Sequence, residues 1–220
     1  MMLPRRATAA IFDLDGVLVD SEPLYTIATQ EIVGEYGKVF DWSVKGNMIG
    51  GDAREGARYM LRELGVPLDV EAYMQRRDAR LRELFPTVEP MPGARDFVLR
   101  LRERAVPLAV ATSSDREQFE IKTARHDWFS AFQVIVCGND PEVRRVKPFP
   151  DIFLTAAARL GAVPRDCVVF EDAPAGVEAA RAAGMQVIAL PDPHMDRARF
   201  ATADLVAGGY HELDALQLGP

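Results

Sequence analysis

The sequence predicts an α/β protein whose core is a doubly wound parallel sheet, interrupted after its first strand by a small helical domain. Short, almost continuously apolar runs alternate with amphipathic helical patterns, which is typical of parallel strands covered by helices on both faces. Residues 13–107 separate the first two apolar runs, which is far longer than a strand–helix–strand crossover requires. An inserted domain accounts for this separation.

Six apolar runs have the length and composition of buried strands. They are rich in β-branched residues and alanine and are bounded by residues typical of turns. The runs begin at residues 9, 108, 133, 167, 186 and 203, with the sequences AAIF, LAVAT, QVIVCG, CVVFED, QVIAL and ADLVAG. We expect these runs to form the sheet.

Four amphipathic patterns predict the helices of the sheet domain. The first covers residues 94–104, and the second begins near Asp115, where Gln118 has the spacing of a capping box. The third opens at Pro150 and the fourth follows Pro174, because proline is favoured in the first turn of a helix. Strand and helix therefore alternate along most of the chain.

Residues 21–90 are predicted to form a separate helical domain, and residues 1–20 and 91–220 the sheet domain. Asp52 and Glu55 have capping-box spacing at the start of one of its helices. Apolar stripes in these helices usually form a hydrophobic core, and we expect that role here. Three such stripes have helical spacing: Leu24, Ile27, Ala28 and Ile32; Ala57, Met60, Leu61 and Leu64; Val70, Tyr73, Met74, Leu81, Leu84 and Phe85.

Composition and charge exclude several functional classes. The 220 residues carry a net charge of −7, so no overall basic field attracts nucleic acid or an anionic membrane. No apolar run reaches the ~18 residues of a membrane span, and Asp13 interrupts the first apolar patch well before the length of a signal peptide. We expect a cytoplasmic monomer with no nucleic-acid or membrane partner. Cys137 and Cys167 lie in apolar runs and are expected to be reduced core residues.

Polar residues collect where the predicted strands end. In an open parallel sheet, the carboxyl ends of the strands form the edge that binds ligands. Three histidines are scattered elsewhere, and the sequence contains no nucleophile elbow, Walker A loop, dinucleotide fingerprint or zinc-protease motif. The residues at the strand ends are Asp13 and Asp15 after the first strand, Thr112, Ser113 and Ser114 after the second, Lys147 after the third, and Glu171 and Asp172 after the fourth.

Carboxylates at this density require positive charge nearby. Asp13 and Asp15 are two residues apart, so in an extended chain their side chains point the same way, roughly 7 Å apart. With Asp172 from a neighbouring strand they make an all-oxygen site suited to Mg²⁺, which would offset their mutual repulsion. Lys147 adds a second positive charge, and Thr112 with the following amides can donate hydrogen bonds to an anion.

Each of these residues has an ordinary structural explanation when it is considered alone. An aspartate pair at a strand end is often a turn followed by a helix cap, and Glu171 with Asp172 could cap the helix after Pro174. Lys147 alone would be a solvated loop lysine. The coincidence of all of them at one edge favours a catalytic site.

Four motifs, in this order, resemble those of the haloacid dehalogenase-like superfamily. They are FDLDG at residues 12–16, ATSS at 111–114, KPFPDIF at 147–153 and FEDAPAGVEAARAAG at 170–184. The resemblance covers almost the whole chain and implies a Rossmann-like core with a helical cap. The stretches FPTVEPMPGA, KTARHDWF and NDPEV resemble the branch that contains pseudouridine-5′-phosphatases, β-phosphoglucomutases and sugar or polyol phosphatases.

The resemblance implies a Mg²⁺-dependent phosphatase that hydrolyses a small phosphorylated metabolite, such as a sugar phosphate or a nucleotide-like monophosphate, through an aspartyl phosphate. It implies that Asp13 is the nucleophile and that Asp15 is the general acid and base. It also implies that Mg²⁺ is held by the Asp13 carboxylate, the Asp15 backbone carbonyl and Asp172, with Glu171 supporting this metal site.

The resemblance further implies which residues hold the substrate. Thr112, Ser113 and Lys147 are expected to bind the phosphoryl oxygens. Tyr25 and Gly50, in the helical insertion, are expected to contact the rest of the substrate.

Three alternatives to a phosphatase follow from the same motifs. Tyr25 stands where the phosphosugar mutases carry a histidine, and Arg54 is offset from their cap arginine, so hydrolysis is favoured over mutase activity. A dehalogenase is disfavoured because its chemistry uses neither the second aspartate nor a metal. A non-catalytic phosphate-binding module is disfavoured by the intact set of Asp13, Asp15, Lys147 and Asp172.

Overall fold

The computed structural model describes residues 3–46, 48, 53–216, 218 and 219. The chain divides into two compact units, Met1–Asp20 with Glu89–Pro220, and Ser21–Val88. The second boundary lies two residues before the predicted one, because Glu89–Pro90 pairs antiparallel with Val19–Asp20 inside the first unit. This two-residue pairing was not predicted, since neither segment is long enough to show a strand periodicity.

The first unit contains a six-stranded, entirely parallel sheet in the described part of the chain, as the apolar runs predict. The strands are β1 Ala9–Phe12, β2 Val19–Asp20, β3 Glu89–Pro90, β4 Leu108–Thr112, β5 Val134–Cys137, β6 Cys167–Glu171, β7 Gln186–Ala189 and β8 Leu205–Val206. The order in the parallel sheet is β5-β4-β1-β6-β7-β8, with β1 at the centre, while β2 and β3 form the separate antiparallel pair.

The helices of the first unit begin close to the positions that the capping signals predict. Asp115 accepts a hydrogen bond from the backbone N–H of Gln118 at 2.8 Å, which is the expected N-cap contact. The helices are α1 Glu22–Gly34, α2 Trp42–Lys45, α3 Ala53–Leu64, α4 Val70–Leu84, α5 Ala94–Glu103, α6 Arg116–Thr123, α7 Asp151–Leu160 and α8 Pro174–Ala182. The first four belong to the second unit and the last four to the first unit.

An aromatic cluster supports the centre of the sheet. The rings of Phe12 and Phe170, which are paired in register on β1 and β6, stack at 4.4 Å between centroids. Phe97 from α5 packs edge-on against both rings, and Phe132 packs edge-on against Phe12. The cluster therefore fixes the ends of the two central strands, and Asp13 is the next residue after Phe12.

The second unit is a small helical bundle with its own core. Residues of α1, α3 and α4 predicted from the apolar stripes are buried in it, among them Ile32, Met60 and Tyr73. Ile27 was expected in the core, but it is 42% exposed, and α1 instead buries Thr29, whose hydroxyl is 2.9 Å from the Tyr73 hydroxyl. The short helix α2 was not predicted, and Asp52 of the expected capping box lies outside the described residues.

Other sequence-based expectations concern the cysteines and the membrane. Cys137 and Cys167 are buried and free, as predicted. Burial raises the pKa of both thiols to about 11, so they remain protonated near neutral pH. In the part of the chain that the structure describes, no helix has both the length and the apolar character that crossing a membrane requires.

Replacing Phe97 with alanine is expected to lower the free energy of unfolding by about 3–5 kcal/mol, the usual range for a buried phenylalanine. The cavity would open beneath Phe12 and Phe170, and urea denaturation of the variant would measure the loss. The control is Val163→Ala, at a side chain 53% exposed, which we expect to stay within about 0.5 kcal/mol of the parent. A similar loss for both variants would contradict the role of the aromatic cluster.

Candidate active site

The candidate site lies at the carboxyl edge of the sheet, entirely within the first unit. Asp13 follows β1 directly, and its backbone N–H donates to the carbonyl of Phe170 at 3.0 Å. This bond continues the β1–β6 pairing by one step and holds the backbone of Asp13 beside the end of β6. The side chain of Asp13 is buried, with only 7% of the residue exposed. The acidic residue is thus held in the interior by the central strands.

Lys147 links the two central strands by binding two carboxylates. Its Nζ donates to Asp13 Oδ1 and to Glu171 Oε1, both at 2.6 Å, and to the carbonyl oxygen of Ala111 at 3.2 Å. The ammonium also lies 4.9 Å from the centroid of the Phe153 ring. Burial opposes the charged form, but Asp13 and Glu171 outweigh it and raise the pKa of Lys147. Lys147 is therefore a permanent cation in this site.

Glu171 is fixed on both of its carboxylate oxygens. One oxygen accepts from Lys147, and the other accepts from the backbone N–H groups of Asp172 and Ala173, each at 3.0 Å. Gly176 leaves the room for this carboxylate, since a Cβ there would lie 1.8 Å from Glu171 Oε1. Glu171 therefore shapes the loop that presents Asp172.

Asp172 faces the turn that follows the first strand. Gly16 has φ +74°, and a Cβ on it would lie 2.4 Å from Asp172 Oδ2, so any other residue would strain the backbone and push the Asp172 side chain aside. The turn is closed by a hydrogen bond from the Gly16 N–H to the Val19 carbonyl at 2.9 Å. The buried hydroxyl of Tyr210 donates to the carbonyl of Val17 at 3.0 Å and holds the turn from the other side. The sequence did not indicate this role of Tyr210.

Two buried acids in this site carry pKa values that favour their neutral forms. Burial is the largest cause and raises the pKa of Asp13 to about 7, although Lys147 partly opposes it. Burial also raises the pKa of Asp172 well above its ordinary value, and the charges of Glu171 and Asp13 add to this. Further positive charge at the site would stabilise both carboxylates.

Asp15 is bound by Lys122 and Ser114, a pairing that no sequence motif predicts. Lys122 Nζ donates to both of its carboxylate oxygens, at 2.7 and 2.9 Å, and Ser114 Oγ donates to Oδ2 at 2.9 Å. Lys122 comes from α6, 107 residues away in sequence. Lys122 follows Phe119 by three residues, so both lie on the buried face of α6. This helical spacing is the sequence signal that could have predicted a buried Lys122. The side chains of Asp13 and Asp15 thus have different lysine partners.

The predicted phosphate-binding residues lie at the end of β4 and beyond it. Thr112 is buried, and its Oγ1 accepts from the backbone N–H of Ser114 at 3.1 Å, while Ser113 is exposed. Gly138, after β5, allows a close approach of this segment, because a Cβ there would lie 2.4 Å from the Ser113 carbonyl oxygen. Lys147, which binds Asp13, also donates to the carbonyl of Ala111, the residue before Thr112, and so connects this segment to Asp13. Their role in binding a phosphoryl group remains a prediction.

The predicted substrate contacts of the helical insertion belong to the second unit. Tyr25 lies on α1, with its ring edge-on to Phe85 at 5.7 Å between centroids. The guanidinium of Arg77 lies 5.9 Å from the Tyr25 ring centroid. Gly50 lies outside the described residues. Substrate binding by Tyr25 and Gly50 remains a prediction.

The donor set fits a divalent cation in charge and in chemistry. When all four acids are ionised, Asp13, Asp15, Glu171 and Asp172 carry two more negative charges than Lys122 and Lys147 balance, and a divalent cation would supply the difference. Within the described ranges, no three acidic, histidine or cysteine side chains meet as a ligand set. Asp15 is turned to Lys122, so a metal at this edge would draw on Asp13, Asp172 and backbone oxygen. Carboxylate and carbonyl oxygens are the ligands that Mg²⁺ prefers.

A buried carboxylate held by a buried lysine, at the ligand-binding edge of a parallel sheet, is the arrangement of an enzyme site. A family model described as haloacid dehalogenase-like hydrolase matches residues 10–190. The chain therefore belongs to the haloacid dehalogenase-like hydrolases, which confirms the family that the four motifs resemble. The prediction that the protein is a phosphatase of this family is confirmed by the relatives described next.

Two curated relatives carry phosphatase names. The (DL)-glycerol-3-phosphatase 1, mitochondrial, of Arabidopsis thaliana is 43% identical over 205 residues, which cover 90% of this chain and 69% of that protein. A Drosophila melanogaster protein described as a probable pseudouridine-5′-phosphatase is 40% identical over 219 residues, covering 98% and 95%. The substrates in these names are those of the two relatives.

A solved structure supports the fold. The crystal structure of a HAD family hydrolase from Deinococcus radiodurans, with bound phosphate and sodium, matches with a TM-score of 0.81 and 28% identity. The match covers 95% of this chain and 94% of that chain. The α/β fold predicted from the sequence is therefore confirmed.

Gly16→Ala is expected to destabilise the protein more than Gly184→Ala does. Both glycines have φ +74°, so both substitutions cost about 1–2 kcal/mol in backbone strain, but nothing lies within 4 Å of a Cβ at Gly184. The Cβ at position 16 would also displace Asp172. Urea denaturation of the two variants measures the difference, and equal losses would contradict a tight approach of Gly16 to Asp172.

Proposed function

We propose that this protein is a Mg²⁺-dependent phosphatase that hydrolyses the monophosphate ester of a small metabolite through an aspartyl phosphate. The observation that carries the proposal is the buried carboxylate of Asp13, held by Lys147 at 2.6 Å at the edge of the sheet where ligands bind. The names of the two relatives suggest glycerol phosphate and nucleotide-like monophosphates as substrates, and the motif resemblance adds sugar phosphates.

In the first step, a carboxylate oxygen of Asp13 attacks phosphorus, and the bond between phosphorus and the ester oxygen breaks. Asp15 donates the proton that the leaving alkoxide takes up, so an alcohol departs and Asp13 carries the phosphoryl group. The positive charge of Lys147, next to Asp13, stabilises the negative charge that develops on the phosphoryl oxygens. A covalent intermediate divides one difficult displacement into two in-line steps.

In the second step, Asp15 takes a proton from a water molecule, and the water oxygen attacks phosphorus. The bond between phosphorus and Asp13 breaks, which releases inorganic phosphate and restores the free carboxylate. One residue therefore serves as acid and then as base, and a positioned acid or base typically contributes ~10²–10⁴-fold to the rate. Thr112 and Ser113 are proposed to hold the phosphoryl oxygens in both steps.

Mg²⁺ is proposed to be held by Asp13, Asp172 and the backbone carbonyl of Asp15. When bound, the cation neutralises charge on the phosphoryl oxygens and on the carboxylates around it. Glu171 supports this site indirectly, because its hydrogen bonds to the N–H groups of Asp172 and Ala173 hold the loop that carries Asp172.

The second unit, Ser21–Val88, is proposed to act as the cap that selects the substrate and shields the aspartyl phosphate from water. Tyr25 and Gly50 are the proposed contacts to the substrate. Tyrosine at position 25 favours hydrolysis over mutase activity, because a phenol with a pKa near ~10 does not exchange protons near neutral pH as an imidazole does. A cytoplasmic, monomeric protein remains our expectation.

The purified protein with Mg²⁺ is expected to release inorganic phosphate steadily from members of a panel of phosphate monoesters. Asp13→Asn is expected to abolish this release in a protein that still folds, because an amide has the shape of the carboxylate but is a very poor nucleophile, and Lys147 keeps its bond to Glu171. A cooperative melting transition checks that the variant is folded. Phosphate release by Asp13→Asn at the rate of the parent would exclude Asp13 as the nucleophile.

The same assay separates a phosphatase from a mutase. The enzyme is incubated with β-glucose 1-phosphate and Mg²⁺, and both free phosphate and glucose 6-phosphate are followed. A phosphatase releases phosphate without a bisphosphate activator. Formation of glucose 6-phosphate faster than phosphate would favour the mutase.

Mg²⁺ is expected to raise the melting temperature more at pH 8.5 than at pH 5.5. The raised pKa of Asp13 means that the folded state binds this proton more tightly than the unfolded chain does. Its contribution to stability is therefore present below pH 3.8 and is lost as pH rises to about 7. Above that pH, the Asp13 carboxylate is ionised and can bind the cation, and Asp172, whose pKa burial also raises, is more ionised at pH 8.5 than at pH 5.5.

The control for this shift is a pair of variants. The increase in melting temperature grows with the ratio of Mg²⁺ concentration to Kd. Asp172→Asn is expected to remove most of this increase, because the variant lacks one of the proposed ligands and its Kd is higher. Asp214→Asn is expected to keep it, because that carboxylate is 71% exposed and is paired with Arg100. The same increase in all three proteins, or at both pH values, would contradict the proposed ligands.

A further inference from the structure

We propose that Lys122 is a positioning residue, which holds both carboxylate oxygens of Asp15 in the orientation that the two proton transfers use. This role rests on the proposed function, because it requires Asp15 to be the general acid and base. Lys122 lies outside the four motifs that assign the other site residues.

The contacts form a closed triangle of three side chains. Lys122 Nζ donates to Asp15 Oδ1 at 2.7 Å and to Oδ2 at 2.9 Å, and it lies 3.0 Å from Ser114 Oγ. Ser114 Oγ in turn donates to Asp15 Oδ2 at 2.9 Å. The Ser114 backbone N–H is held by Thr112 Oγ1 at 3.1 Å, which connects the triangle to the end of β4. A carboxylate bound at both oxygens in this way has little freedom to rotate.

The burial of Lys122 favours a role beyond stability. Its side chain is fully buried, while the side chain of Asp15 is 28% exposed and so is open on one side. Burying an ammonium costs free energy, and well-packed apolar residues often replace buried ion pairs with no loss of stability. Phe119, on the same face of α6, shows that this face accepts apolar side chains. We therefore attribute the lysine at this position to its hydrogen bonds with Asp15.

Orientation matters because Asp15 acts twice on different oxygens. It must face the ester oxygen in the first step and the attacking water in the second. A misplacement of ~1 Å can cost about 10²-fold in rate, because reacting groups must be held near their attack geometry. Lys122 comes from the buried face of α6, whose first turn is capped by Asp115, so the carboxylate is held from a regular helix.

The alternative is that Lys122 only fastens α6 to the loop after β1. A positioning role predicts a loss that depends on the leaving group, since proton donation matters most for a poor one. A fastening role predicts equal losses for all substrates. The comparison therefore uses two substrates, the best alkyl phosphate of the panel and 4-nitrophenyl phosphate, whose leaving group needs little protonation.

The test measures kcat/KM of Lys122→Met, Asp15→Asn and the double variant on both substrates. We expect Lys122→Met to lose about 10²-fold on the alkyl phosphate. On 4-nitrophenyl phosphate its loss should be at least about tenfold smaller, as for Asp15→Asn, because the acid is needed less there. The double variant is expected to be no slower than Asp15→Asn, because Lys122 acts through Asp15 and the two effects do not add.

The matched control removes a cation that faces an aspartate at the other end of the same unit. Arg181 pairs with Asp204 at 3.0 Å, at the carboxyl end of α8 and directly before β8 begins, which is the edge of the sheet opposite the strand ends that form the site. Arg181→Met is expected to leave both kcat/KM values unchanged. Ser114→Ala keeps the lysine and removes one hydrogen bond to Asp15. It should show the same dependence on leaving group with a smaller loss, and it serves if Lys122→Met does not fold.

Equal losses on both substrates, or additive losses in the double variant, would overturn the positioning role while leaving the phosphatase intact. An absence of phosphate release by the parent protein from every ester would overturn the proposed function, and the role of Lys122 with it. The two failures are therefore distinguishable.

Discussion

The ion pairs of Lys147 with Asp13 and Glu171 are the interaction on which the rest of the site depends. Both carboxylates are buried at the ends of the central strands, where hydration cannot stabilise their charges. Lys147 reaches them at 2.6 Å and binds the carbonyl of Ala111 as well, so three strands of the sheet meet at one ammonium. The negative charge that the two lysines do not balance is what we propose a divalent cation to offset, and the cation together with Lys147 would then attract a phosphoryl group.

The backbone packs so closely against two carboxylates of the site that glycine is needed at the points of contact. Gly16 packs against Asp172 and Gly176 packs against Glu171, and in each case a Cβ would lie within 2.4 Å of a carboxylate oxygen. Such crowding of acids is unfavourable for stability. The aromatic cluster of Phe12, Phe170 and Phe97 directly beneath the site offsets part of this cost through buried apolar area.

Two lysines give the two aspartates of the first motif different surroundings. Asp13 is almost fully buried and is bound by Lys147, whereas Asp15 is more exposed and is bound by Lys122 and Ser114. Neighbouring carboxylates in different environments are a common way for one site to supply a nucleophile and an acid–base group. The proposed division of labour between Asp13 and Asp15 has this physical basis.

The sequence by itself determined the parallel sheet, the starts of the α5–α8 helices and the edge at which Asp13, Lys147 and Asp172 collect, because these follow from local periodicity, capping and the end of each apolar run. The tertiary structure decided which carboxylate each lysine binds, because Lys122 and Asp15 are brought together from 107 residues apart. It also decided that α1 buries Thr29 and exposes Ile27, since the Tyr73 hydroxyl supplies a polar partner inside the bundle. Such pairings depend on packing between elements, which no local pattern records.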